Sequence, residues 1–346
     1  MPIPVNISAS TGAAILGASR YDTAINQWLR IMESRQPGFC EKNGYELPVF
    51  EESAATRFGS AFESAIIGLA EAKQGHKIGF REAEYKIAID DDRNAITCHI
   101  DGKYDDPGYT LHEAKTTNYF AWLNNFIRGV DGEPDRVPVE YLIQANHQML
   151  CTGADKVILS VLVFPKRQQE WEDEGIVIDD HESIGDMIIS IYRDGIFKAR
   201  VNPLVWAHTL NDMGFFHQYD IIANQKLQEL MLEKYEQFWR ENIIGGNVPD
   251  FQDFSDVRAI VRDPVGTIVL EGDSALLAKE AQQIAREEKI LKARKDHLKT
   301  AICQVAYDSE NTIDDDSKDK WIFRDEYGAK LASRTAQRFT WAKAKD

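Results

Sequence analysis

The sequence predicts an α/β fold, and three segments predict it. Residues 96–117, ITCHIDGKYDDPGYTLHEAKTT, place two β-branched apolar runs around a turn rich in Asp, Pro and Gly, which reads as a β-hairpin. Residues 57–72, RFGSAFESAIIGLAEA, carry Phe58, Phe62, Ile66 and Leu69 at helical spacing. Residues 137–164 read as a helix opened by Pro138 and closed by Gly153, followed by a nearly continuous apolar strand from Val157 to Phe164.

Chemistry concentrates on the hairpin. Side chains alternate along a strand, so Glu113 and Lys115 of the Glu113-Ala114-Lys115 run share one face. Asp101 ends the preceding strand and reaches that face across the hairpin. Two carboxylates are a minimal cage for a hard divalent cation such as Mg²⁺, which keeps waters and takes a phosphate oxygen. The same residues also suit the solvated face of any hairpin.

Three further segments bear on the choice. Glu63 lies beside the apolar stripe of the 57–72 helix, placed to serve as a third carboxylate or as a surface glutamate. Gly59, on the same helix, permits close approach of another backbone. Tyr141, Gln144 and Gln148 share one face of the next helix, placed to bridge elements or to hold a water or a phosphate. In NISASTGAAILGASRYDTAINQWLRIM, Ser10 and Asp22 are read as helix N-caps. A helix N-terminus also attracts anions.

Taken in order, these segments resemble the YqaJ-type viral recombinase nucleases, relatives of lambda exonuclease and the RecE nuclease in the PD-(D/E)XK superfamily. STGAAILGASRY is similar to the family's opening serine-to-tyrosine segment, and Gly59-Ser60-Ala61-Phe62-Glu63 to its helical G-x-x-x-E. Ile100-Asp101 stands where the family often has Pro-Asp, and Glu113-Ala114-Lys115 matches E-x-K. Tyr141 to Met149 resembles the Y-x-x-Q-x-x-H-Q-M helix, and FWRENIIGGNVPDF the closing FW segment. The likeness covers roughly residues 8–165 and 214–252.

The resemblance implies a restriction-endonuclease-like core, a central mixed sheet flanked by helices. It implies a Mg²⁺-dependent exonuclease, with Mn²⁺ able to substitute, that resects duplex DNA ends 5′ to 3′ and supplies single strands to an annealing protein. It implies a phage or prophage protein, cytoplasmic in a bacterial host, often assembled as a ring around DNA. Asp101, Glu113, Glu63 and the Ala114 carbonyl are then metal ligands, and Lys115 and Gln144 complete the catalytic set. Ser10, Ser19, Arg20, Tyr141 and Gln148 are DNA- or phosphate-contact candidates. Lambda-type members usually carry a Trp and an Arg upstream of the opening serine. Only MPIPVNI stands there in this sequence, and Arg20 is the substitute. A structure-selective or nicking endonuclease, or a non-catalytic DNA-end or protein-binding module, are the alternatives on the same core.

Composition frames the rest. The chain has 346 residues and a net charge of −16, from 56 acidic and 40 basic residues, so any cationic DNA-binding surface must be local. No apolar run approaches a membrane span and no N-terminal signal pattern is present. Cys40, Cys98, Cys151 and Cys303 lack C-x-x-C pairing, which argues against a zinc ribbon or an iron–sulfur cluster.

The expected organisation is an exonuclease domain over 1–252 and an appendage over 253–346. Residues 166–213 read as an insertion that includes a helical stretch, MIISIYRDGIFKA. In the appendage Leu277, Ile284, Leu291, Leu298 and Val305 recur one heptad apart, with Ala281 and Ile302 between them. This is the pattern of a coiled coil or helical hairpin, and it equally suits a helix packed on its own domain. A ring of three or four subunits is expected from it. The acidic NTIDDDSKDK reads as a loop, and the tail as two strands around Tyr327-Gly328, made locally basic by Lys330, Arg334, Arg338, Lys343 and Lys345.

Overall fold

The computed structural model describes residues 6–48, 53–126, 136–181, 186–193, 195–260, 270–308, 321–324, 330–334 and 339–341. From the N-terminus come β1 (Ile7–Ser8), α1 (Gly12–Ile15), α2 (Ala24–Arg35), α3 (Phe39–Asn43) and α4 (Ala54–Gln74). Strands β2 (Ile78–Gly79), β3 (Ala83–Ile89), β4 (Asp92–Ile100), β5 (Gly102–Tyr104) and β6 (Thr110–Asn118) follow. Helices α5 (Tyr119–Asn125) and α6 (Val139–Thr152) lead to β7 (Lys156–Phe164). Next are α7 (Gln168–Asp173), β8 (Ile176–His181), β9 (Asp186–Arg193), β10 (Ile196–Val201) and α8 (Pro203–Asp212). Strand β11 (Phe216–Ile222), α9 (Gln225–Phe238), a π-helical turn (Trp239–Ile244) and α10 (Phe254–Ile260) complete this part.

The central sheet is mixed, in the order β11-β7-β6-β5-β2, with β6 and β7 parallel and the other pairs antiparallel. Strand β7 is apolar except for Lys156 and Ser160 and is buried after its first residue, because both of its faces are covered. On one face, Ile158, Leu162 and Phe164 pack against Phe58, Phe62 and Ile66 of α4. The Phe164 ring meets Phe62 edge-to-face at 5.0 Å and Phe58 at 5.5 Å. Each such buried ring contributes about 1.5–3 kcal/mol. On the other face, Leu159, Val161 and Val163 pack against α6 through Ala145 and Met149. The fold is thus the expected central mixed sheet flanked by helices.

The expected hairpin is divided between two sheets. Strand β4 belongs to a separate sheet, β1-β4-β3, and only β5 pairs with β6. Gly102 permits the change of sheet, since a Cβ there would lie 2.2 Å from Cγ2 of Ile78. Both expected N-caps move by one residue. Thr11 is the N-cap of α1, and Thr23 caps α2 by accepting from the Asn26 amide at 3.2 Å. Asp22 instead accepts from Arg30 and from the Gln27 side chain. At Gly59 a Cβ would meet Thr116 Oγ1 at 3.8 Å, an ordinary contact, so no close approach requires glycine.

The 166–213 segment packs into the core rather than hanging from it. Arg57 of α4 forks onto Glu172 of α7 at 2.6 and 2.8 Å, and Ala207 and Leu210 of α8 join the cluster around Phe62. The stretch expected as a helix, 187–199, forms β9 and β10, joined through Gly195 at φ +72°. Ile188, Ile189 and Ile191 favour extended backbone, and pairing with β8 and β10 satisfies it on both sides.

Contacts divide the chain into two units, Met1–Pro264 and Val265–Asp346. Helix α10 sits in the first, where the fully buried Asp256 accepts from Thr23 Oγ1 at 2.5 Å and from the Gln252 amide at 2.7 Å. In the second, α11 (Gly272–Asp308) is one unbroken helix, not a helical hairpin. Strands β12 (Trp321–Arg324), β13 (Lys330–Arg334) and β14 (Phe339–Trp341) form an antiparallel sheet of three strands where two were expected. NTIDDDSKDK, Tyr327-Gly328, Arg338, Lys343 and Lys345 lie outside the described residues.

A close contact fixes α1 against α6 and α9. A Cβ on Gly12 would lie 2.0 Å from the Tyr235 hydroxyl and 3.4 Å from Nδ1 of His147. Gly12→Ala should therefore destabilise the chain by about 1–3 kcal/mol, seen as a lower urea midpoint. An unchanged midpoint would show that the three elements are not tightly packed here.

Candidate active site

Glu113 is the buried centre of the site, 3% exposed on β6 and facing α6. A lone buried carboxylate is costly, and three donors compensate it. The Lys115 ammonium, two residues along the same strand face, bonds Oε1. Gln144 Nε2 donates to Oε1 at 2.5 Å, and Gln148 Nε2 donates to Oε2 at 2.6 Å. The glutamines stand four residues apart on α6, so both reach one carboxylate. Gln148 Nε2 also donates to the His99 carbonyl at 3.3 Å, which ties α6 to β4. The Tyr141 ring lies 5.7 Å from Lys115 Nζ, in cation–π range.

Asp101 sits where the chain leaves β4 for β5. On β6, strand β5 pairs with Leu111 and His112 alone, so it does not cover the edge of β6 beyond them. Asp101 Oδ2 takes over and accepts from the Ala114 amide at 2.7 Å. A residue's N–H and C=O point to the same side of a strand, so the Ala114 carbonyl faces this open edge too. Glu63 of α4 makes no hydrogen bond among the described residues, but it lies within electrostatic reach of Glu113 and Lys115.

Charge is crowded at this edge. Burial first, and the Glu113 charge second, push the Asp101 carboxyl up to about 8, against the opposing pull of Lys115. Burial, with the charges of Glu82 and Glu113, raises Glu63. Burial works against the Lys115 ammonium, but Glu113 and Asp101 outweigh it, and its pKa rises. A neutral lysine acting as a base is disfavoured by this environment.

Oxygen donors thus gather without a ready-made cage. Among the described residues no three His, Cys, Asp or Glu side chains converge as a metal-binding group. Two carboxylates and a backbone carbonyl at an open edge nevertheless suit a small hard cation that keeps water and takes phosphate oxygens. Gln148 Oε1 is buried here without a partner among the described residues.

The N-terminal candidates lie on a neighbouring ledge. Ser10 Oγ is 3.1 Å from Ser8 Oγ. Ser19 Oγ accepts from the amides of Tyr21 and Asp22, both at 3.2 Å. Arg20 donates to Glu140 at 2.7 Å and to Asn125 Oδ1 at 3.1 Å. Glu140 precedes Tyr141 on α6, so this ion pair holds the serine segment to the helix that serves Glu113. The structure therefore brings Asp101, Glu113, Ala114, Lys115, Tyr141, Gln144 and Gln148 together, with Glu63 close by. Ser10 and Ser19 are not bonded to that cluster.

Residues 4–155 match the family described as the YqaJ-like viral recombinase domain. The chain carries a YqaJ-like domain. No curated protein matches it. Among solved structures it is similar to the alkaline exonuclease LHK-Exo of Laribacter hongkongensis, at 14% identity over 70% of this chain and 89% of that one, with a TM-score of 0.43. LHK-Exo in complex with dAMP gives 15% identity, the same coverage and a TM-score of 0.44. A phage-related exonuclease of Haemophilus somnus 129PT gives 14% identity over 70% and 96%, with a TM-score of 0.38.

One residue of the YqaJ-like domain that positions the site is not singled out by the sequence. His147 is fully buried beside Gln148. Its Nε2 lies 2.9 Å from the Thr97 carbonyl, which can only accept, so Nε2 carries the proton and Nδ1 accepts from Tyr235 at 3.2 Å. This pair clamps α6 to β4 and α9. The sequence signal was the histidine within HQM, but its partner lies 88 positions away.

Burial pushes the His147 imidazole down to about 4, against the opposing Thr97 hydrogen bond. The unfolded chain takes up a proton near pH 6.5, while the folded chain resists it until about 4. Stability is therefore whole above about 6.5 and is lost as pH falls towards 4. The stability advantage of wild type over His147→Gln should shrink by about 3 kcal/mol between pH 7 and pH 4. A constant difference in urea unfolding across that range would contradict the buried neutral imidazole.

Proposed function

We propose that this chain is a Mg²⁺-dependent exonuclease that resects linear duplex DNA 5′ to 3′ and supplies single strands to an annealing protein. The observation that carries the reading is the buried Glu113 and Lys115 pair beside Asp101 at the uncovered edge of β6, within a YqaJ-like domain. In this reading the core is of the PD-(D/E)XK type. A phage or prophage origin follows from the family's viral character. No described helix is long and apolar enough to cross a membrane.

Asp101, Glu113 and the Ala114 carbonyl would hold the Mg²⁺, with Glu63 as a further carboxylate, and Mn²⁺ would substitute. The metal supplies Lewis acidity, lowering the pKa of a bound water and stabilising charge on the phosphate. Lys115 stays protonated. It orients the nucleophile and meets negative charge developing on the phosphate oxygens. Gln144 and Gln148 keep the Glu113 carboxylate aimed, and Tyr141 keeps the ammonium in place. Ser19 Oγ accepts from the Tyr21 and Asp22 amides, which leaves its O–H to donate to a phosphate. Arg20, about half exposed and steered by Glu140, is the candidate for a 5′-phosphate, and Ser10 is a further hydroxyl candidate.

Asp101→Asn and Lys115→Ala should each lower hydrolysis about a hundred- to a thousandfold or more while DNA binding persists. Linear duplex with 5′-phosphates should be shortened from those ends to leave 3′ single strand, and covalently closed circles should survive. Wild-type-like digestion by either variant would remove the site assignment. Cutting of closed circles would favour the endonuclease alternative, and 3′-end digestion would reverse the polarity.

We further propose a homo-oligomer, a ring of three or four subunits. Support comes from the heptad spacing of Leu277, Ile284, Leu291 and Leu298 on the single helix α11. A ring retains DNA by topology, which suits a chain of net charge −16. Light scattering at micromolar concentration should give three or four times the chain mass. A monomer mass with and without duplex DNA would end the ring reading.

A further inference from the structure

The turn between β2 and β3 is strained, and it lies against Asp101. Phe80 and Glu82 have φ of 54° and 56°, the left-handed region that a bulky L-residue rarely adopts. The surrounding pairings hold it there. Gly79 pairs with Lys103 of β5, and Ala83 pairs with Ile100 of β4. The Glu82 amide donates to the Ile100 carbonyl at 3.0 Å. Residues 80–82 therefore run alongside Asp101 and Gly102, the only two residues between those paired positions. Arg81 and Glu82 both act on the charge of Glu63, which puts the turn beside the same carboxylates.

This strained position carries an exposed aromatic. The Phe80 side chain is 70% exposed. A glycine would fit the backbone without strain, and a polar residue would suit the exposure. Both rules are broken at one residue next to the candidate site. Strain of this kind persists where surrounding structure over-determines it, and it clusters at ligand-binding positions.

We propose that Phe80 is a stacking platform for the nucleobase of the terminal nucleotide, the one bordering the phosphodiester to be cut. The proposal rests on the nuclease reading above. An aromatic face accepts any base, which suits hydrolysis without sequence preference. Arg81 beside it adds a cation for the strand that carries the base.

The test uses the full chain and three proteins: wild type, Phe80→Gly and Phe80→Trp. Glycine accepts the left-handed φ, so Phe80→Gly should melt at the same temperature or higher, and lost function cannot then be lost folding. Binding is measured by anisotropy, with Ca²⁺ in place of Mg²⁺. The labelled 5′-phosphorylated duplexes carry a mismatched terminal base or an abasic terminal nucleotide. Wild type and Phe80→Trp should bind the base-bearing end about tenfold more tightly than the abasic end. Phe80→Gly should bind both alike and digest duplex more slowly in Mg²⁺. Equal base-over-abasic preference in wild type and Phe80→Gly, with DNA hydrolysis intact, overturns the stacking proposal alone. A wild type that hydrolyses no DNA overturns the nuclease reading and this proposal with it.

Discussion

A carboxylate enclosed on a central strand sets the terms for the surrounding structure. Moving an ion of this size out of water costs several kcal/mol unless hydrogen bonds and a countercharge replace the solvent. Glu113 meets that demand with one ammonium from its own strand and two amides from α6. The consequence is geometric. The connection between the parallel strands β6 and β7 must be a helix over the Glu113 face, turned so that positions 144 and 148 look down. His147 then holds that helix to β4 by a bond to Thr97, and Tyr235 holds it from α9. Each clamp serves the aim of a single side chain.

The second carboxylate imposes a different constraint. A position beside Glu113 along the strand faces the wrong way, so Asp101 must come from another segment that ends at the edge of β6. The chain achieves this by passing from one sheet to another in the space of one residue. That passage requires Gly102, and it leaves strain in the neighbouring turn at Phe80 and Glu82. Ordinary local rules fail together at this edge. Such failures are expected where geometry has been set by function rather than by stability.

Much of this frame was legible in the residues. The apolar run of β7 and the 3.6-residue spacing of α4 are long, one-sided patterns, and Glu113 and Lys115 share a face by strand alternation alone. Other features were not legible, for identifiable reasons. Ile188, Ile189, Ile191 and Tyr192 satisfy helical spacing as well as a strand pattern, and short apolar runs do not distinguish the two. Only Gly195 marked the turn. Ser10 competed with Thr11, and Asp22 with Thr23, for the same caps. Tertiary partners decided the second case, because Arg30 and Gln27 claim the Asp22 carboxylate. The break between β4 and β5 falls at Asp101-Gly102, within a short stretch from Ile96 to Tyr104 that reads as one strand. The contact of Gly12 with Tyr235 joins residues too far apart in sequence for local pattern to suggest.

The acidic balance of the chain gains a local meaning from the site. Lys115 is spent on Glu113, so it does not leave the edge of β6 positive. Asp101 and Glu63 both lie there, and both are pushed towards their protonated forms by burial and by like charge. On the nuclease reading, a phosphodiester arriving at this edge alone would meet carboxylates, not a cationic groove. A divalent cation held by Asp101 and Glu113 would neutralise the carboxylates and reverse the sign of the edge. Metal and DNA would then be coupled ligands, since each would be held more tightly by a site that already contains the other. The overall charge of −16 works with this arrangement, because it discourages DNA from settling on the rest of the surface. On that reading, discrimination between a productive encounter and an idle one would come from electrostatics at one strand edge.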